Sequence, residues 1–319
     1  VFCMDAQTTA NSNVGVGFQA LTAVTTGGTN TAVGVRASAA ITTATNTTAL
    51  GFDALRNSTG IDNTAVGSTA LDANTSGTNN SALGKNALGA NTTASNNTAI
   101  GKDALGSNTT GSANVAVGSL TLDANTTASN NTGVGFAVLG NNTTGTSNVG
   151  LGYAALNSNT TADNNTSIGY NTLSANTTGA GNTAVGANAL DANTTGSNNT
   201  ATGFNALGAN TTGAVNAAFG RLALSANTEG GSNTACGQGA LESNTTASSN
   251  TAVGTNSLQS NTTGTQNVGI GALTLDQNTD ADNNTAVGYN SMGDNTSGAN
   301  NTSLGQRSLK SNTTASNNT

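Results

Sequence analysis

Asn63-Thr64-Ala65-Val66-Gly67-Ser68-Thr69-Ala70-Leu71-Asp72-Ala73-Asn74-Thr75 is followed, after a short polar link, by Asn80-Ser81-Ala82-Leu83-Gly84-Lys85-Asn86-Ala87-Leu88-Gly89-Ala90-Asn91-Thr92. The second stretch restates the first at a distance of 17 residues. Outward from here the same beat continues in both directions, marked by Gly17, Gly34 and Gly51 before it and by Gly101, Gly118 and so on to Gly305 after it. Every step is 17 residues except the 16 between Gly51 and Gly67. A unit this short cannot bury an apolar face alone, so it must stack on its neighbours.

Two columns carry the apolar signal. The residue before each ruler glycine is large and apolar in nearly every copy (Val66, Leu83, Ile100, Val185), with Thr202 the polar exception. The fourth residue after the glycine is Leu71, Leu88, Leu105, Leu190 and their copies, with Met292 once and Ser38 as the failure. Both columns are read as core. Two β-favouring patches per copy, separated by Asn, Thr and Gly and lacking helical periodicity, predict short strands. The fold expected is all-β: a parallel β-solenoid, or β-roll, with one coil per 17 residues and about 18 coils. At the usual strand spacing of about 4.8 Å that gives a rod of roughly 85 Å. Residues 1–12 read as a lead-in or cap and 13–319 as a single array, a segment of a longer fibre or filament.

Seven residues after the glycine, copies from Asn74 to Asn312 carry Asn followed by Thr, including Asn91, Asn108, Asn125, Asn142, Asn159, Asn176, Asn193 and Asn210. Asn tolerates left-handed backbone and bonds neighbouring backbone groups, so it suits a corner, and stacked copies predict a ladder of amides. Most of these residues also begin an Asn-x-Ser/Thr sequon, which makes them candidate N-glycosylation sites. Asn227 and Asn278 lose the sequon to Glu229 and Asp280, which argues that this third corner position meets water. Residues two before the glycine are small from Ala65 onward, implying close approach of a strand layer or another subunit.

Phe18, Phe52, Phe136, Tyr153, Tyr170, Phe204 and Tyr289 directly follow a ruler glycine, where other copies hold Lys85, Lys102 or Arg221. A column that accepts Lys and Arg is not a closed core, so these aromatics are expected to be semi-exposed. Cys236 stands in the pre-glycine column and reads as a small buried hydrophobe. The 16-residue step is expected to be absorbed between Leu55 and Asn63, with the corner Asn arriving one residue early as Asn57. Val24 and Ile41 replace the corner Asn in the first two coils, and with Phe2 and Met4 they read as extra apolar surface at an assembly end.

The repeat resembles the head repeat of trimeric autotransporter adhesins and the NTAVGxxAL/NTTG arrays of phage tail-fibre and bacterial surface proteins. That resemblance implies a left-handed parallel β-roll assembled as a trimer and used for attachment. The period is longer here, and Leu stands where that family often has Ala.

Composition narrows the function. Only 7% of residues are charged, the net charge is -7 and the seven cations are scattered, so there is no stripe to bind nucleic acid. No apolar run approaches the roughly 20 residues needed to span a bilayer, so no membrane insertion is expected. There is no His, no Cys–His pair and no recurring carboxylate pair, so neither catalysis nor a cofactor is expected. The expected role is a structural or adhesive extracellular fibre or filament, at a cell surface or in a virion fibre. Its partner is itself, head to tail or as a homotrimer, with a host-surface receptor or glycan as the outside partner. The competing reading is an ice-binding β-solenoid with a threonine array.

Overall fold

A computed structural model describes residues 3–319. The chain divides into two compact units, Val1–Ala162 and Asp163–Thr319, where the repeat alone suggests one. The first unit contains nine three-residue strands, β1 (Val14–Val16) through β9 (Val149–Leu151); the second contains nine more, β10 (Thr166–Ile168) through β18 (Thr302–Leu304). Within each unit every strand pairs in parallel with the next, like residue beside like residue, as in Thr64↔Ser81, Ala65↔Ala82 and Val66↔Leu83. Each unit is therefore a β-solenoid with one strand per coil, and at the usual strand spacing nine coils stand about 40 Å tall.

The backbone ladder extends well beyond the strands. In the coil of Gly84, Gly84 N donates to Val66 O at 2.8 Å, Asn86 N to Ser68 O at 3.0 Å, Leu88 N to Ala104 O at 3.0 Å and Thr92 N to Thr109 O at 3.0 Å. The same bonds recur in the second unit, for example Gly203 N to Val185 O at 2.8 Å and Leu207 N to Ala223 O at 3.0 Å. Turns and corners are thus bonded coil to coil as regularly as strands are, which satisfies nearly every peptide group of an interior coil.

The leucine patch is not a second strand. Leu71, at φ 53°, and Leu190, at φ 52°, occupy the left-handed region, as do Thr69 and Asn188 two residues earlier. Alternate left-handed residues curl the chain tightly after the glycine, and that curl aims each Leu across the coil. Leu71, Leu88, Leu105 and Leu190 are fully buried.

The pre-glycine column faces the other way, contrary to the core assignment. Leu83 is 50% exposed and Ile100 39% exposed, while Val66 and Val185 are half-buried. The residue pointing inward from each strand is the small one, Ala65, Ala82 or Ala184. Alternation along a three-residue strand allows only the middle side chain to point in. The interior is too narrow for more, because the Leu reaches over from the far side and a second small column, three after the glycine, fills the remainder. Size is balanced between the two small columns. Where Thr121 and Val138 enlarge the second, the strands opposite carry Gly133 and Gly150: a Cβ at Gly133 would lie 2.6 Å from Thr121 Cγ2, and one at Gly150 would collide with Val138 Cγ1. Such volume matching is the signature of a close-packed interior.

The 16-residue step is absorbed where expected. Strand pairing survives across it, with Leu50↔Val66 in register, and Leu55 N still donates to Ala70 O at 2.9 Å. Thr59 N bonds Thr75 O at 2.6 Å, whereas Gly60 already sits against Gly77. The missing residue is therefore the water-facing one between them. The corner column is filled here not by Asn57 but by Ser58, whose Oγ accepts from Asn74 Nδ2 at 2.8 Å.

Candidate functional site

Each interior coil beyond the first three holds two buried asparagines. In the corner column Asn91 Nδ2 donates to Asn74 Oδ1 at 2.8 Å and to Ala94 O at 3.1 Å, and Asn91 Oδ1 accepts from Asn108 Nδ2 at 3.0 Å. Asn125, Asn142 and Asn159 continue the ladder in the first unit, and Asn193 and Asn210 do so in the second, above Asn176. All are fully buried. A glycan on any of these amides has no space in the folded coil and would break two hydrogen bonds, which corrects the glycosylation reading. The third corner position does meet water: Glu229 and Asp280 are exposed.

The other ladder was missed by the sequence reading. Four residues before each ruler glycine lies Asn63, Asn80, Asn97 and so on, with Thr47 the exception. Asn80 Nδ2 donates to Ala94 O at 2.9 Å, the carbonyl that Asn91 also uses, and Asn80 Oδ1 accepts from Asn97 N at 3.0 Å. One carbonyl per coil thus clamps both ladders. The signal is present in the sequence, since this Asn is as regular as the corner one.

Along the outside, each strand presents its first and third residues, and the aromatic column adjoins them. Phe18, Phe52, Phe136, Tyr153, Tyr170, Phe204 and Tyr289 are exposed at 45% to 54%. Phe136 and Tyr153 stack with ring centroids 5.5 Å apart, and the Arg36 guanidinium lies 4.9 Å from the Phe52 ring centre. Cys236 is exposed in this setting, a free thiol and not a buried hydrophobe, for the same reason that its whole column points out. Of the residues assigned to an assembly end, Val24 and Ile41 are fully buried inside their own coils, so they add no outer surface. Apolar side chains there replace the amide of the ladder position. Phe2 lies outside the described residues. Met4 N donates to Ala20 O at 3.2 Å and Thr8 N to Thr25 O at 3.1 Å, laying residues 4–10 on the first coil.

Charges are sparse. Lys102 Nζ and Asp103 Oδ2 are 2.7 Å apart on the surface, and that hydrogen bond lowers the Asp103 pKa. Asp53 is buried beneath Arg36, and beside the short coil its Oδ1 and Ser38 Oγ are buried without a hydrogen-bond partner. Asp72, Asp123, Asp191 and Asp276 share one column, where burial raises each carboxyl above its ordinary value. A raised folded pKa means that the folded state binds more protons, so stability falls as pH rises from the ordinary carboxylate value through the raised one. Asp191→Asn removes that penalty. Its melting temperature is expected to exceed the parent's at neutral pH, with the difference vanishing in acid below the carboxylate range; a variant that melts lower at neutral pH would contradict this account.

Among the described residues no group of three His, Cys, Asp or Glu side chains is placed to hold a metal ion, and no helix is long and apolar enough to cross a membrane. The depression over Ser225, Glu242 and Gln259 is open and polar, with Gln259 Nε2 donating to the Glu242 carboxylate at 2.8 Å. No protein-family model matches the chain, and no curated protein matches it.

Proposed function

We propose that this chain is a structural or adhesive segment of an extracellular fibre or filament, at a cell surface or on a virion, with no catalytic role and no cofactor. The observation that carries this reading is that, within each unit, a backbone ladder ties coil to coil and, beyond the first three coils, two buried amide ladders reinforce it. Such a stack resists local opening, because freeing one coil breaks bonds on both of its sides. Each coil edge is also a template for another coil of the same pattern, which supports head-to-tail self-association. The water-facing columns vary between copies and are where a host receptor or glycan would bind. Ice binding is the weaker reading: the threonine after each corner Asn uses its hydroxyl internally, as Thr92 Oγ1 does on Thr109 O at 3.0 Å. Threonines entering the strands face out but are interrupted by Val115, Val149, Ala217 and Val268.

Electron micrographs of the purified protein test the proposal. Fibres of uniform width are the expected result, while compact particles, or thermal hysteresis in solution, would overturn it.

A further inference from the structure

Among the described residues, nearly all the exposed large apolar side chains fall at the same few positions of the coil. Apart from Ile61 and Val215, each is the first or third residue of a strand or the residue just after the ruler glycine. In the first unit the ribbon includes Val16, Leu50, Leu83, Ile100, Phe136 and Tyr153, all between 39% and 56% exposed. In the second, Ile168, Tyr170, Phe204, Phe219, Ile270 and Tyr289 fall between 36% and 54%. These side chains form columns, each stacked one coil above the next, so the patch is continuous within a unit.

A half-exposed aromatic leaves on the order of 100 Å² to water, and the apolar side chains of one unit's ribbon together leave about 800 Å². That exceeds the largest apolar patch of an ordinary monomer, roughly 300–600 Å², and matches the roughly 800 Å² that each partner of a stable interface buries. No Asp or Glu stands in the three columns, although the chain has 14 acidic residues. The cations there are Lys85, Lys102 and Arg221, too few to hold an anionic lipid or nucleic acid surface. Any partner covering the ribbon end to end must repeat at the same coil spacing. This chain carries such a repeat.

We propose that the ribbon is a self-interface, packed face to face on the ribbon of a second copy. Two parallel sheets mate in this way about 10 Å apart, and a flat face is fully covered by one other flat face. Pairing deepens the fibre reading and rests on it: coils stacking end to end set the length, and paired ribbons set the thickness.

Sedimentation of the full chain, with Leu83→Glu, Phe136→Glu, Phe204→Glu and Ile270→Glu combined in one variant, tests the pairing. Below the concentration at which fibres grow, the parent is expected to sediment as a dimer. The variant is expected to be a monomer with unchanged circular dichroism and melting, because all four side chains point away from the core. A monomeric or trimeric parent, or a variant of unchanged mass, would overturn the proposal. Should the variant fail to fold, the parent's Cys236, which lies in the ribbon, still decides it. Pairing predicts that maleimide labelling of this thiol slows as protein concentration rises, and a rate independent of concentration refutes pairing. Micrographs separate the two readings, since fibres one chain thick would leave the structural role standing and remove only the pairing.

Discussion

Asn193→Asp is expected to destabilise the second unit by about 4 kcal/mol, enough to unfold its neighbourhood at moderate temperature. Asn193 is fully buried. Its Nδ2 donates to Asn176 Oδ1 at 2.8 Å and to Gly196 O at 3.0 Å, and its Oδ1 accepts from Asn210 Nδ2 at 2.8 Å. An aspartate keeps the acceptor but sets a carboxylate against two oxygens with no proton between them. Protonation restores one donor, and burial raises the carboxyl above its ordinary value, so the deficit should shrink as pH falls toward that ordinary value and stay constant below it. Asn193→Ser should cost far less, since Ser58 already fills this position in the short coil as an acceptor for Asn74. Urea denaturation followed by circular dichroism measures both. A loss below about 1 kcal/mol for the aspartate would show that water reaches the ladder.

Gly203→Ala is expected to be as damaging for a different reason. Gly203 has φ +132°, a region closed to residues with a side chain, and an added Cβ would sit 2.6 Å from Gly220 O and 2.7 Å from Gly220 C. The backbone strain alone is about 1–3 kcal/mol. The contact with the neighbouring coil cannot relax without parting the two strands, so a total near 4 kcal/mol is expected. Gly106→Ala is the matched control. Its column holds Asp, Ser, Glu or Lys in other copies, and the Cβ would come no nearer than 3.0 Å to any atom, meeting the Asp123 side chain at 3.0 Å and the Asn86 side chain and Asp103 O at 3.3 Å. A melting curve for Gly203→Ala close to that of Gly106→Ala would refute the argument.

The period, the leucine column and the amide corner could be read from residues alone because each is a single residue type repeated in register. Val66, Leu83, Ile100 and Val185 were misassigned to the core because apolar character was taken as burial. In a three-residue strand the burial is instead decided by alternation, and the small Ala65 and Ala82 were the better guide. The left-handed Leu71 and Leu190 were not foreseeable, since nothing about leucine favours that conformation. Only the stacked context holds it there. Cys236 followed its column outward, and Asn80 and Asn97 were passed over because an Asn beside a strand usually means a solvated turn.

Those left-handed residues determine how the molecule must come to exist. A single coil, alone, would hold several residues in unfavourable backbone geometry with no neighbour to bond, so the first coil pair is an uphill nucleus. Once a pair exists, each new coil finds its partners one repeat away along the chain, as Thr98 N finds Asn114 O at 2.9 Å. Closing a loop of that length is quick and entropically cheap. Growth is then a copying process in which a finished coil templates the next. Its accuracy rests on the amides: a coil laid one residue out of step would bring Asn against Thr and leave a buried carbonyl unclamped, so misregistered turns are rejected as they form.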